Sequence, residues 1–141
     1  MTMDIAPPKK FTERIYLALV HYPVYNKEGE TIASALTTVD IHDFSRIART
    51  YQLGGVWIIT PHQSQKRLFH RMRGHWVNGF GATYNPTRKD ALQMVSLADS
   101  IDEMTRKLEE SSGQSVHKIA TTARELPRAV PAEKITGTIQ D

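Results

Sequence analysis

Cysteine is missing from all 141 residues, which excludes disulfides, thiolate zinc sites, iron–sulfur clusters and cysteine nucleophiles in any compartment. Long apolar runs are missing too. No stretch approaches the roughly 18 to 20 residues of a membrane-spanning helix, and Met1 to Lys10 has no apolar segment like that of a secretory signal. A soluble, cytoplasmic protein that makes no membrane contact is expected. The six histidines include no pair at i,i+4, the spacing that sets two ligands on one helix face, so no metal site is expected. A Walker-type phosphate loop and a serine elbow are also absent. Gly79-Phe80-Gly81 follows a predicted helix, whereas a dinucleotide fingerprint follows a strand and opens a helix.

The most informative gap is in acidic residues. Between Phe44 and Lys89 there is no Asp or Glu, while Arg46, Arg49, Lys66, Arg67, Arg71, Arg73, Arg88 and Lys89 all fall there. The net charge of +3 therefore divides into +8 for this stretch and −5 for the rest. Such asymmetry points to a polyanionic partner; solvated helix faces account for it equally well.

With 40% hydrophobic and 23% charged residues, the length suits one globular domain. Residues 1–13 read as a loose lead-in. Ile15 to Val20 is a continuous apolar run, as in a strand buried on both faces. Asn26 to Glu30 reads as a turn, and the β-branched stretch Thr31 to Val39 as extended. Asp40 offers an N-cap to an amphipathic helix with Ile41, Phe44, Ile47, Ala48 and Tyr51 on one side. Val56 to Ile59 is a second buried strand, and Thr60-Pro61-His62-Gln63 has the pattern of a helix start. The helix that follows sets Leu68, Phe69, Met72 and Trp76 on one stripe and Lys66, Arg67, Arg71 and Arg73 toward solvent.

Asn78 to Pro86 reads as a loop, followed by a short helix that Thr87 and Asp90 can cap and a third strand, Met94 to Ala98. Ser100 to Glu103 is a capping box opening a helix that Gly113 ends. Val116 to Thr121 is a fourth strand candidate. Strands alternating with helices predict an α/β domain over 14–124 with a mainly parallel sheet flanked by helices, and a partly ordered stretch over 125–141.

In such a sheet, ligands sit beyond the carboxyl ends of the strands, which brings His21, Thr60, His62, Asp99 and Thr122 to Arg124 forward. His21 is equally a hydrogen-bonded structural histidine. Arg46 can hold a phosphate or oppose developing negative charge, or pair with Asp43 at i,i+3. Phe80 and Tyr84, beside Arg88 and Lys89, either stack on bases or plug their loop onto the core.

Four strings then carry a resemblance: Tyr-Leu-Ala-Leu-Val-His-Tyr-Pro-Val at 16–24, Thr-Thr-Val-Asp-Ile-His-Asp at 37–43, Ala-Arg-Thr-Tyr at 48–51, and Gly-Ala-Thr-Tyr-Asn-Pro-Thr-Arg-Lys-Asp-Ala-Leu at 81–92. Together they resemble a family of RNA methyltransferases in the SPOUT class, whose α/β sheet is closed by a trefoil knot. The resemblance covers roughly 14–124. It implies S-adenosylmethionine as methyl donor, tRNA or rRNA as substrate, and a homodimer formed through the C-terminal segment. Asp40 stands where the SPOUT pattern has Asn, and Arg46 matches the Arg that orients the acceptor or assists its deprotonation. Thr121-Thr122-Ala123-Arg124 is similar to the first loop of the cofactor pocket, making Thr122, Ala123 and Arg124 the expected cofactor contacts. His21, Arg49, Lys66, Arg67, Arg71, Arg73, Arg88 and Lys89 are the expected RNA contacts. The segments that complete the knot in family members are not recognised here, so an incomplete knot and a truncated chain are expected. Exposed apolar surface is then expected on Ile15 to Val20 or around Val116. The alternative is a non-enzymatic RNA-binding or dimerisation module on the same scaffold.

Overall fold

The computed structural model describes residues 9–139; residues 1–8, most of the expected lead-in, and 140–141 lie outside the described residues. Its organising element is a strand without a polar face. In β4 (Gly55–Ile59), Val56, Ile58 and Ile59 are at most 1% exposed. The strands β1 (Tyr16–Val20) and β5 (Val95–Ala98) pair with it on either side, both parallel, in the order β1-β4-β5.

Side chains alternate across a pleated sheet. Val56 and Ile58 therefore share one face with Leu17, Leu19, Val95 and Leu97, while Trp57 and Ile59 share the other with Tyr16, Val20 and Ala98. Parallel neighbours need crossover connections, and these supply the covering helices. The first crossover holds α1 (Thr38–Thr50); the second holds α2 (Gln63–Val77), α3 (Phe80–Tyr84) and α4 (Pro86–Leu92). Their residues Ile41, Ala48, Phe69, Met72, Val77 and Leu92 all pack on the first face. The second face is covered by α5 (Ile101–Ser112), through Met104 and Leu108 with Ile101 at their side. Ser100 caps α5 by accepting from Glu103 N at 3.1 Å, and Gly113 ends it at φ 69, a left-handed position glycine takes without strain.

The α/β class and the three core strands agree with the sequence, but several local expectations are corrected. Part of the lead-in is ordered: Phe11–Arg14 forms a 3-10 turn in which Glu13 accepts from Lys10 N at 2.9 Å. β1 is an edge strand, half-buried with Ala18 exposed, because β4 pairs with only one of its sides. The extended stretch after the Asn26 turn shrinks to a small hairpin of β2 (Val24–Tyr25) and β3 (Thr31–Ile32). Thr37, not Asp40, caps α1, its Oγ1 accepting from Asp40 N at 3.1 Å. α2 begins after His62, since Thr60 is fully buried and its Oγ1 accepts from His62 N at 3.3 Å instead of capping the helix. The glycine-aromatic loop contains α3.

Val116 to Thr121 is not a strand. Val116 N donates to Glu109 Oε1 at 3.0 Å and its side chain rests against the α5 cluster, but the backbone joins no sheet, and Ile119 is 53% exposed. The chain from 114 to 131 runs as open coil, then a 3-10 turn at Ala132–Lys134 and α6 (Thr136–Ile139) follow. Apolar surface is thus exposed at Ala18 and Ile119.

Two substitutions separate the core from this coil. Ile58→Ala is expected to cost about 2–5 kcal/mol, because the cavity opens between two packed faces. Ile119→Ala is expected to change stability by no more than about 0.5 kcal/mol. Urea unfolding of both variants measures the contrast, and equal losses would contradict the described packing.

Candidate nucleic-acid interface

The helices α1 and α4 pack side by side, with Ser45, Ala48 and Ala91 as their buried small residues. Side chains this short bring the two helices close and leave the longer residues to border a groove. Its volume is about 340 Å³, and its lining includes His42, Arg46 and Arg49 from α1 with Asn85, Thr87 and Arg88 around the start of α4. Asn85 caps α4 by accepting from Arg88 N at 3.0 Å, and Pro86 takes the first helical position.

The three arginines are held differently. Arg46 pairs with Asp43 at 2.5 Å, with its side chain 71% exposed. An exposed i,i+3 pair contributes only about 0.3–0.5 kcal/mol, so the guanidinium exchanges readily onto a phosphate. Arg49 meets Asp90 at 3.9 Å, also in the open. Arg88 lies with its guanidinium carbon 4.4 Å from the centre of the Trp76 ring, a cation–π contact that fixes its position while leaving its hydrogen-bond donors unused. Trp76 also takes the edge of His42, ring centres 5.8 Å apart. The role of Trp76 was hidden in the sequence by its place on the apolar stripe of α2.

The second group lies at the carboxyl ends of the strands. His21 is only 7% exposed, and its Nδ1 shares a hydrogen bond of 3.0 Å with Ser34 Oγ. Gln65 Nε2 donates to Ser34 O at 2.7 Å, and Thr60 Oγ1 donates to Gln65 Oε1 at 2.6 Å. Lys66 pairs with Asp99 just past β5. These bonds tie β1, β4 and α2 together where an open ligand crevice was expected. His21 is therefore a buried bracing residue rather than a surface contact, and Lys66 is engaged in an ion pair.

The expected common basic face of α2 is also divided. Arg67 and Arg71, four residues apart, are exposed, whereas Lys66 and Arg73 are half-buried, and Arg73 Nε is enclosed without a partner among the described residues. Lys89 is half-buried on α4, outside the groove lining. Of the expected RNA contacts, the fold gathers Arg49 and Arg88 in one groove with Arg46, and sets Arg67 and Arg71 on a separate face. Thr122, Ala123 and Arg124 are exposed in open coil. Arg124 N donates to Thr122 Oγ1 at 3.0 Å, and no side-chain hydrogen bond or ion pair among the described residues joins the three to the sheet.

Comparison with known proteins adds chemistry to this geometry. A family model described as SAM-dependent RNA methyltransferase matches residues 14–141. A protein of Oleidesulfovibrio alaskensis named tRNA (guanine-N(1)-)-methyltransferase is 44% identical over 110 residues, which are 78% of this chain and 26% of that protein. A protein of the same name from Nitratidesulfovibrio vulgaris is 38% identical over 118 residues, 84% of this chain and 28% of that one. An Aquifex aeolicus protein with the name "Uncharacterized protein" is 34% identical over 128 residues, 91% of this chain and 62% of its own length. The chain thus spans about a quarter of the two named relatives and less than two thirds of the third.

The histidines give the fold a pH signature. Burial pushes His21 below 6.5, with Asp40 and Ser34 opposing the shift. Burial also lowers His42, and the Arg88 and Arg46 charges lower it further, against Asp43. Just below 6.5 the unfolded chain therefore binds more protons than the folded one, so stability falls as pH drops through that value. The urea midpoint is expected to decrease between about pH 7.5 and 5.5. His21→Asn with His42→Asn is expected to flatten the slope; an unchanged slope in the double variant would rule these two out as its source.

Proposed function

The chain belongs to the SAM-dependent RNA methyltransferase family, for which S-adenosylmethionine is the methyl donor, and from that membership we propose that it serves RNA methylation by gripping the RNA backbone in the α1–α4 groove. The observation that carries this is the convergence of Arg46, Arg49 and Arg88 from two helices on one groove, within a stretch of sequence that holds no acid from Phe44 to Lys89. Guanidinium forks match phosphate oxygens in pairs, and the exposed pairs to Asp43 and Asp90 are cheaply exchanged. A tRNA is the substrate favoured by the names of two relatives. The resemblance assigns Arg46 to orienting the acceptor nucleotide, and its place at the groove supports that role. A homodimer and a cytoplasmic setting, where tRNA is met, belong to the same proposal.

The methyl donor does not fit the described residues. S-adenosylmethionine carries a sulfonium and an ammonium against one carboxylate, so its net charge is positive and three arginines repel it. Thr122 to Arg124 offer no enclosure, being exposed to solvent. The same observation favours a second function, RNA binding without transfer on this scaffold.

Binding of a bulk tRNA preparation by the 141-residue chain, titrated across salt concentrations, tests the groove. Arg46→Ala, Arg49→Ala and Arg88→Ala are each expected to weaken binding and to reduce the salt slope by about one. Undiminished affinity in the triple variant would sink the groove as the RNA site. Calorimetry with S-adenosylmethionine and incorporation of labelled methyl into tRNA decide between the two functions. Transfer lost in Arg46→Ala supports the enzyme, while salt-dependent RNA binding with neither donor binding nor transfer supports the binding module.

A further inference from the structure

We propose that α3 is a stacking platform for an unpaired nucleobase, a reading that rests on the RNA function above and narrows its substrate to RNA with accessible single-stranded bases. α3 is short and firmly seated. A Cβ on Gly81 would lie 2.6 Å from Trp76 Cε3, so the helix backbone rests directly on the indole and only glycine fits there. Gly81 and Ala82 take the inner side. Phe80 and Tyr84, four residues apart, project outward at 77% and 76% exposed. Their rings are nearly parallel and stacked, 20° between planes and 6.4 Å between centres, which leaves the outer faces of the pair open to a further flat ring. Two large aromatic rings this exposed on a rigid seat are a costly arrangement for a soluble surface unless something covers them.

The neighbouring charge identifies the cover. α3 packs against α2 and α4. α2 contributes the exposed Arg67 and Arg71 and has no acidic residue; α4 carries the half-buried Arg88 and Lys89 against a single acid, the exposed Asp90. A partner that brings flat apolar rings together with negative charge matches this surface, and RNA has both. Stacking needs a free base face, which a duplex hides between neighbouring pairs; loops, bulges and single strands expose it. The Trp76 indole links the two sites, carrying Arg88 over its ring and the α3 backbone at Gly81 against its six-membered ring, so one side chain seats both the groove arginine and the stacking helix.

The test uses a single-stranded oligoribonucleotide carrying 2-aminopurine, whose fluorescence is quenched on stacking, and the same strand annealed to its complement. The full chain is expected to bind the single strand with quenching. Phe80→Ala with Tyr84→Ala is expected to abolish the quench and weaken single-strand binding about tenfold, with duplex affinity and melting temperature unchanged. Phe80→Tyr with Tyr84→Phe keeps both rings and is expected to keep the quench. Equal quenching and affinity in the double alanine variant would overturn the platform while leaving salt-dependent RNA binding intact. Absence of RNA binding by the unaltered chain would instead overturn the RNA function and the platform with it. A dimer in sedimentation that the double alanine variant turns to monomer would also overturn it, assigning the rings to contact between copies.

Discussion

Everything else in the molecule follows from the double-sided burial of β4. Val56 and Ile58 need cover on one side and Trp57 and Ile59 on the other, and burying an aliphatic side chain of this size contributes about 1.5–3 kcal/mol. Both crossovers run over the first side, which stacks α1, α2 and α4 there; α5 alone serves the second. The crowding on the first side creates the groove. With Ile41, Ser45 and Ala48 of α1 and Leu92 of α4 turned inward, mostly polar residues border the seam, Arg46, Arg49 and Arg88 among them.

Three guanidiniums around one groove repel one another, and the structure limits that cost in three ways. Asp43, in the groove lining, pairs with Arg46 and Asp90 with Arg49, both open to solvent that screens them, so their hold is weak. His42, between the arginines, is kept from adding a further charge because burial and its cationic neighbours favour the neutral ring. The Trp76 ring supplies the remaining compensation, offering Arg88 its electron-rich face. The groove lining therefore carries three arginines against one acid, Asp43, an excess of positive charge that an incoming phosphate can neutralise.

The core was legible in the sequence because consecutive apolar residues at Ile15 to Val20, Val56 to Ile59 and Met94 to Ala98 allow little besides a buried strand, and the capping box at Ser100 marks a helix start by local chemistry. The family resemblance singled out Arg46 and the acid-free stretch Arg49 and Arg88, but neither showed that the three border one groove. What stayed hidden depended on tertiary partners. Val116 to Thr121 has strand-like composition, but Glu109 takes Val116 N and no sheet edge receives the rest. His21 and Lys66 look like free polar groups until Ser34 and Asp99 close on them. Glycine and aromatics at 79–84 resemble a loop because the seat that makes α3 a helix, the Trp76 indole, lies on another element.

Gripping RNA and transferring a methyl group make different demands on a fold. Backbone recognition is a surface property: it needs cations at suitable spacing and tolerates solvent, and the groove proposed for it lies between two helices that the core fixes. Methyl transfer depends on holding donor and acceptor in a near-attack arrangement, which requires walls. The coil around Thr122 to Arg124 has none among the described residues, and fixing the backbone of each residue costs roughly 1–2 kcal/mol before any contact is made. Contacts able to offset that must come from groups packed on the coil. The α1–α4 groove is built by helices packed on the core and does not draw on residues 122–124, so under the proposed function the grip on RNA and the transfer of a methyl group place separable demands on the fold.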